Sequence, residues 1–208
     1  GMIDHADRFW TSDQNDALER QQIQRWTGLV IPPEYLGTHI GPTVSHQTHR
    51  THSISFRALN ALFGHAGIEW NIAEASDHEI QVLKEFVAFY KKNRELLHSG
   101  SVVRSDDIDG NAYLYGTVAQ DKSQAIFTYM QLRTLDTSGP LRATFDGLDK
   151  EKSYQVSVVE KLSADDFKEL INDLNIAQNI ENSASELEED VMYRQVLIGA
   201  FQLASAIY

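Results

Sequence analysis

Within seven residues the chain carries an indole, two hydroxyls and two carboxylates, in the order Trp10-Thr11-Ser12-Asp13-Gln14-Asn15-Asp16. A carboxyl set against an aromatic face loses solvation, and a desolvated carboxyl is what enzymes use as a general acid near neutral pH. Asp13 beside Trp10 has the residue types for that chemistry. The same aspartates also suit a turn and a helix N-cap, since short polar side chains accept from the free amides of a first helical turn. Spacing alone leaves both readings open. Glu69 is the other carboxylate on a predicted strand, and reads first as a structural residue. Trp10 and Trp70 stand near predicted strand ends, where an indole either stacks on a sugar ring or joins the core; Trp26, in mid-helix, reads as core. His39, His46, His49, His52 and His65 raise the question of a metal. However, His46, His49 and His52 fall in a polar loop and not four apart on a helix, so no metal or cofactor is expected.

The elements that must position these groups follow from periodicity. Residues 8–12 read as a short strand, and a helix follows from about 16 to 30, with Leu18, Ile23, Trp26 and Val30 as its apolar stripe and Pro32-Pro33 as its stop. A strand is predicted over 38–41, a polar loop over 42–51, a helix over 53–66 and a strand over 68–72. The clearest helix is predicted over 77–98. Ser76 caps it, Glu79 takes the capping-box position, and Ile80, Leu83, Val87 and Tyr90 share one face. Strand–helix alternation over 8–98 is the mark of parallel βα units. After Gly100 the pattern changes to short alternating runs at 101–105, 112–119, 124–133, 141–146 and 153–160, separated by turn residues, which predict an antiparallel sheet or sandwich. A polar helix is predicted over 163–182, and 191–208 fits strand or helix. The expected fold is therefore α/β over 1–99 followed by a mainly β domain over 100–208.

The totals set limits. The 208 residues are enough for one large or two small domains. A net charge of −12 repels a phosphate backbone, so nucleic acid is not an expected partner. With no cysteine there is no thiolate chemistry and no disulfide. No apolar run approaches the roughly 18 residues of a membrane span. The first residues lack the basic-then-apolar order of a secretion signal, and a cytoplasmic location is expected.

Several ordered blocks carry a resemblance. Trp10 to Arg20 resembles the W-T-S-D-N-x-D-A-x-x-R stretch of the α-galactosidases of glycoside hydrolase family 36. Ile23-Gln24, Pro32-Pro33-Glu34-Tyr35-Leu36-Gly37-Thr38-His39-Ile40-Gly41-Pro42, and Ser45-His46-Gln47-Thr48-His49-Arg50-Thr51-His52-Ser53 resemble its I-Q, P-P-E-x-x-G-x-H-x-G-P and S-H-x-T-G-R-x-H-S blocks. Phe56-Arg57, Leu62-Phe63-Gly64-His65 and Gly67-Ile68-Glu69-Trp70 continue in register. The resemblance is good over residues 9–100, weaker through the β-rich region and poor after 163.

The resemblance implies a retaining α-galactosidase built on a (β/α)₈ barrel with a C-terminal antiparallel β domain, of which residues 8–98 supply the sixth to eighth βα units. It maps the family's general acid/base onto Asp13, with Trp10, Asp16 and His39 as candidate substrate-binding residues. The family's nucleophile lies in a Lys-Trp-Asp block on an earlier strand, and its cysteine- and glycine-rich sugar loop is upstream too. This chain contains neither, so by itself it is expected to be inactive, because retaining hydrolysis needs two carboxylates about 5 Å apart. The expected partners are an α-galactoside, the half that carries the nucleophile, and a second copy of the chain covering the open barrel edge. A non-catalytic carbohydrate-binding or interaction module derived from such an enzyme is the alternative. Two departures stand out: Gln14-Asn15 follows Asp13 where the family has Asn and a variable residue, and His49 replaces the common glycine before Arg50.

Overall fold

The structure, a computed structural model, describes residues 4–105, 111–133, 144–158 and 194–199. The chain divides into two compact units, Gly1–Ser99 and Gly100–Tyr208.

The first unit begins with a contact, not a full strand. Phe9 makes a single parallel bridge to Leu36: its amide donates to the Tyr35 carbonyl (2.7 Å), and its carbonyl accepts from the Gly37 amide (2.9 Å). The strand predicted over 8–12 stops there because the following backbone is used elsewhere. The Ser12 and Gln14 carbonyls accept from the Arg20 side chain, and Ser12 Oγ accepts from the Gln14 amide. Helix α1, Ala17–Thr27, starts at Asp16, whose Oδ1 accepts from the amides of Leu18 (2.8 Å) and Glu19 (3.3 Å). It ends at Gly28, ahead of the proline pair. Its buried face is Ala17, Arg20 and Gln21, not the predicted stripe. Trp26, read from the sequence as core, is 60% exposed, and Leu29 and Val30 are 59% and 80% exposed.

Strand β1, Gly37–Ile40, pairs in parallel with β2, His65–Ile68, in the register Gly37–His65 to Ile40–Ile68. Between them lies α2, Ile54–Asn60, capped by Ser53. This helix is shorter than predicted, and β2 begins earlier, because the chain turns at residues 61–64 to come alongside β1. That close approach needs Gly64: a Cβ there would stand 2.6 Å from Thr38 Cγ2 and 2.7 Å from the Leu36 carbonyl. Glu69 donates its amide to the Ile40 carbonyl (3.0 Å), which places it just past the strand. Helix α3, Asp77–Ser99, has the predicted capping box: the Ser76 amide donates to Glu79 Oε2 (2.9 Å), and the Glu79 amide to Ser76 Oγ (3.3 Å). Leu83 packs with Ile40, Ile54, Ala58 and Ala61, and Ala66, Trp70, Val82 and Phe86 lie against that cluster. Each large aliphatic side chain so buried contributes about 1.5–3 kcal/mol.

The described residues of the second unit form a five-stranded sheet in the order β3-β4-β5-β7-β6, from Ser101–Ser105 (β3), Ala112–Val118 (β4), Gln124–Gln131 (β5), Tyr154–Val158 (β6) and Arg194–Gly199 (β7). The β3–β4 and β4–β5 pairs are antiparallel, whereas β7 lies parallel to both β5 and β6. The sheet is therefore mixed where an antiparallel one was predicted. Alternation within each run was readable, but the insertion of a late strand between two earlier ones leaves no trace in local pattern. Residues 144–146 are not strand; Phe145 instead sets its ring against Phe127, with centroids 5.0 Å apart. Residues 141–143, the predicted helix over 163–182 and most of the 191–208 stretch lie outside the described residues.

Candidate functional site

The C-terminal ends of β1 and β2 and the segment after Phe9 bring four of the singled-out side chains together. Trp10 Nε1 donates to Asp13 Oδ1 (3.1 Å), and Asp13 is exposed. The Trp10 ring packs on His39, with centroids 4.2 Å apart and planes 30° apart, and is itself 38% exposed. Glu69 Oε2 lies 3.5 Å from His39 Nδ1. That nitrogen is buried and makes no hydrogen bond, so the two interact through charge and not through a formed bond. The parallel register sets His39 opposite Gly67, where a Cβ would stand 2.7 Å from His39 Cδ2 and 2.9 Å from Nε2. Glycine is what leaves space for the imidazole.

Arg20 supports this group from α1. It is 1% exposed, its guanidinium carbon sits 4.4 Å from the Trp10 ring centroid, and Nη1 donates to the carbonyls of Ser12 (2.8 Å) and Gln14 (3.1 Å). Those carbonyls flank Asp13, so one buried cation holds the backbone on both sides of the exposed carboxylate. Burial presses the guanidinium below its usual pKa, and the charge of Glu69 acts in the opposite sense. In the sequence Arg20 stands only as the last residue of the Trp10–Arg20 stretch; its place in the first turn of the helix that follows Asp13 was the available signal.

Asp16 has a different position. It is fully buried, and both oxygens are engaged by the protein. Oδ1 caps α1 and accepts from His52 Nε2 (3.0 Å), and Oδ2 accepts from Thr48 Oγ1 and from Arg50 Nη1 (3.3 Å). Burial pushes its pKa upward, but the bonds from His52, Thr48 and the Leu18 amide outweigh that and hold the carboxyl well below the usual range. Asp16, expected from the sequence among the substrate-binding residues, ties the 42–52 loop to the start of α1 through both oxygens. That loop is fixed further by Asn15, which contacts the His46 ring and whose Oδ1 accepts from Ser45 Oγ (3.0 Å) and the His46 amide (3.3 Å). Two of the three loop histidines therefore bond to the 15–16 segment. The described residues hold no cluster of metal-ligating side chains.

Arg57 performs the same office from α2. It is 2% exposed and donates to the carbonyls of His52 (3.2 Å) and Gly41 (2.9 Å), to Thr43 Oγ1 (3.2 Å) and to Glu79 Oε1 (2.5 Å). It also lies 4.7 Å from the Trp70 ring centroid. Trp70 is thus a packing residue of the core edge.

The group lies at the C-terminal ends of parallel strands, the end at which βα proteins place their active sites. The family model described as Melibiase matches residues 1–100. The α-galactosidase of Escherichia coli is 41% identical over 76% of this chain and 22% of its own length. α-Galactosidase AgaA of Geobacillus stearothermophilus is 33% identical over 75% of this chain and 22% of its own length. Among solved structures, the α-galactosidase from Lactobacillus brevis superposes with a TM-score of 0.70 at 35% identity, over 74% of this chain and 21% of that one. A family 36 AgaA variant in complex with raffinose gives 0.67 at 33% identity, over 74% and 22%. Over residues 1–100 the chain belongs to the melibiase family. It spans about a fifth of the length of the relatives it matches.

Proposed function

We propose that this chain supplies the acid/base end of an α-galactosidase site, on three βα units of a (β/α)₈ barrel, for hydrolysis of terminal α-galactosides. Asp13 carries the reading, as an exposed carboxylate held by Trp10 at the end of parallel strands in a chain of this family. In the first step Asp13 protonates the glycosidic oxygen as its bond to the anomeric carbon breaks, while a second carboxylate bonds to that carbon. In the second, Asp13 takes a proton from the water that attacks the same carbon, releasing the sugar and the second carboxylate. Trp10 offers an apolar face to a sugar ring, and His39 fixes that face from behind. The Glu69 carboxylate in this cluster is turned to His39, 3.5 Å from its Nδ1, so the nucleophile is supplied by a further segment, in cis or in trans. The chain also self-associates through its uncovered apolar surface.

The test is release of p-nitrophenol from p-nitrophenyl α-galactoside, beside an Asp13→Ala variant. The chain alone is expected to show no turnover above the variant. Adding a polypeptide that carries the nucleophile is expected to restore turnover that depends on Asp13. Asp13-dependent turnover by the chain alone would show that a second carboxylate has been recruited, and would refute the half-site reading.

A further inference from the structure

We propose that Glu69 is a positioning residue for Asp13, acting through His39 and Trp10. The proposal rests on the reading of Asp13 as acid/base. Four contacts form a continuous path: Glu69 Oε2 to His39 Nδ1 (3.5 Å), His39 ring to Trp10 ring (4.2 Å), Trp10 Nε1 to Asp13 Oδ1 (3.1 Å), and Arg20 over Trp10 (4.4 Å). Each element supplies one link, with Glu69 past β2, His39 on β1 and Trp10 past the Phe9 bridge.

Three features set this path apart from ordinary packing. His39 Nδ1 is buried with no hydrogen bond, a costly state for a polar atom unless a nearby charge compensates it, and Glu69 is the charge beside it. Space for the imidazole exists only because residue 67 is glycine. Finally, an indole N–H can point in one direction only, so the ring orientation that His39 and Arg20 impose decides where Trp10 places its proton. Without Glu69, His39 loses its electrostatic anchor, the indole rotates, and Asp13 loses a fixed rotamer. With two carboxyl rotamers to choose from, less of the acid stands within reach of the glycosidic oxygen.

The indole N–H resonances of the isotopically labelled chain read this directly. There are three tryptophans. Trp10→Phe identifies the Trp10 signal, and Asp13→Asn moves it as the direct partner. Glu69→Gln is expected to shift the Trp10 signal while that of Trp26, on the exposed end of α1, stays in place. His39→Gln is expected to shift it too, and the double variant is expected to match His39→Gln alone, because Glu69 acts through His39. Gly67→Ala, which presses on the same imidazole without changing any charge, gives a second route and is expected to move the Trp10 signal as well. An unmoved Trp10 signal in Glu69→Gln, or shifts that add in the double variant, would overturn the proposal. The measurement needs no turnover: loss of Asp13 dependence in the galactoside assay would refute the catalytic reading alone, and an unmoved indole would refute the positioning role alone.

Discussion

Asp16 and His49 show opposite ways in which a single residue governs the loop between β1 and α2. Asp16 is buried and bonded to two amides, a hydroxyl, an imidazole and a guanidinium. Asp16→Ala removes the cap and leaves His52 and Arg50 facing a void, so unfolding free energy is expected to fall by about 3 kcal/mol, read from urea denaturation. Asp16→Asn keeps an acceptor for the cap and should lose less. His49 has a φ of 60°, in the left-handed region that costs a side-chain-bearing residue about 1–2 kcal/mol. The family glycine at this place has that physical cause. His49→Gly is expected to raise stability by roughly 0.5–1 kcal/mol after the entropy of glycine in the unfolded chain is counted. A lower melting temperature would mean that the exposed imidazole makes contacts worth more than the strain. At this scale the sequence singled out Asp13 and Trp10 as candidates and offered Asp16 or Asn15 as the cap, which is Asp16. It could not show that His39 faces Gly67, because that pairing depends on the register of two strands separated by a helix.

Among the elements, α3 was the most legible and α2 the least. Helix α3 carries its own start signal in Ser76 and Glu79 and a clean apolar face, so local chemistry and burial agree. Helix α2 was read too long because Ala61, Leu62 and Phe63 continue an apolar pattern that tertiary structure uses for a turn. Glu79 joins the two helices, since it caps α3 and also accepts from Arg57 and from Thr43 Oγ1 (2.8 Å). Burial raises its pKa, but the Ser76, Thr43 and Arg57 bonds prevail and bring it from 4.5 to about 2. A carboxylate depressed in the folded state stabilises fully above its unfolded pKa, and that stabilisation is lost as pH falls through the folded value. The first unit should therefore lose stability between pH 4.5 and about 2 through this group. Glu79→Gln is expected to lower stability at pH 7 and to flatten its decline across that acid range in urea titrations. An acid limb of unchanged slope would show that Glu79 does not carry the linkage.

At the scale of the whole molecule, the misread face of α1 has the largest consequence. Trp26 in the last turn of α1 and Leu29 and Val30 just past it are 60%, 59% and 80% exposed, in a unit whose parallel sheet has two strands among the described residues. Parallel sheets are ordinarily covered on both faces, and an uncovered parallel edge invites pairing. Of the predicted stripe, Leu18 and Ile23 are half-buried, whereas Trp26 and Val30 are left uncovered by the described part of the chain. Relatives of whose length the match covers only about a fifth have ample chain to cover them. Self-association is the expected response of this chain alone, since burying one indole and its aliphatic neighbours gains several kcal/mol. Light scattering at micromolar concentration should report a mass above 23.5 kDa, and Trp26→Glu with Val30→Glu should return it towards that value. A well-folded monomer of the unaltered chain would mean that this surface is tolerated in water. Interchange with a nucleophile-bearing partner should then be sought by its competition with dimerisation: if one apolar surface serves both, added partner must dissolve the dimer and the charge variants must weaken both associations together.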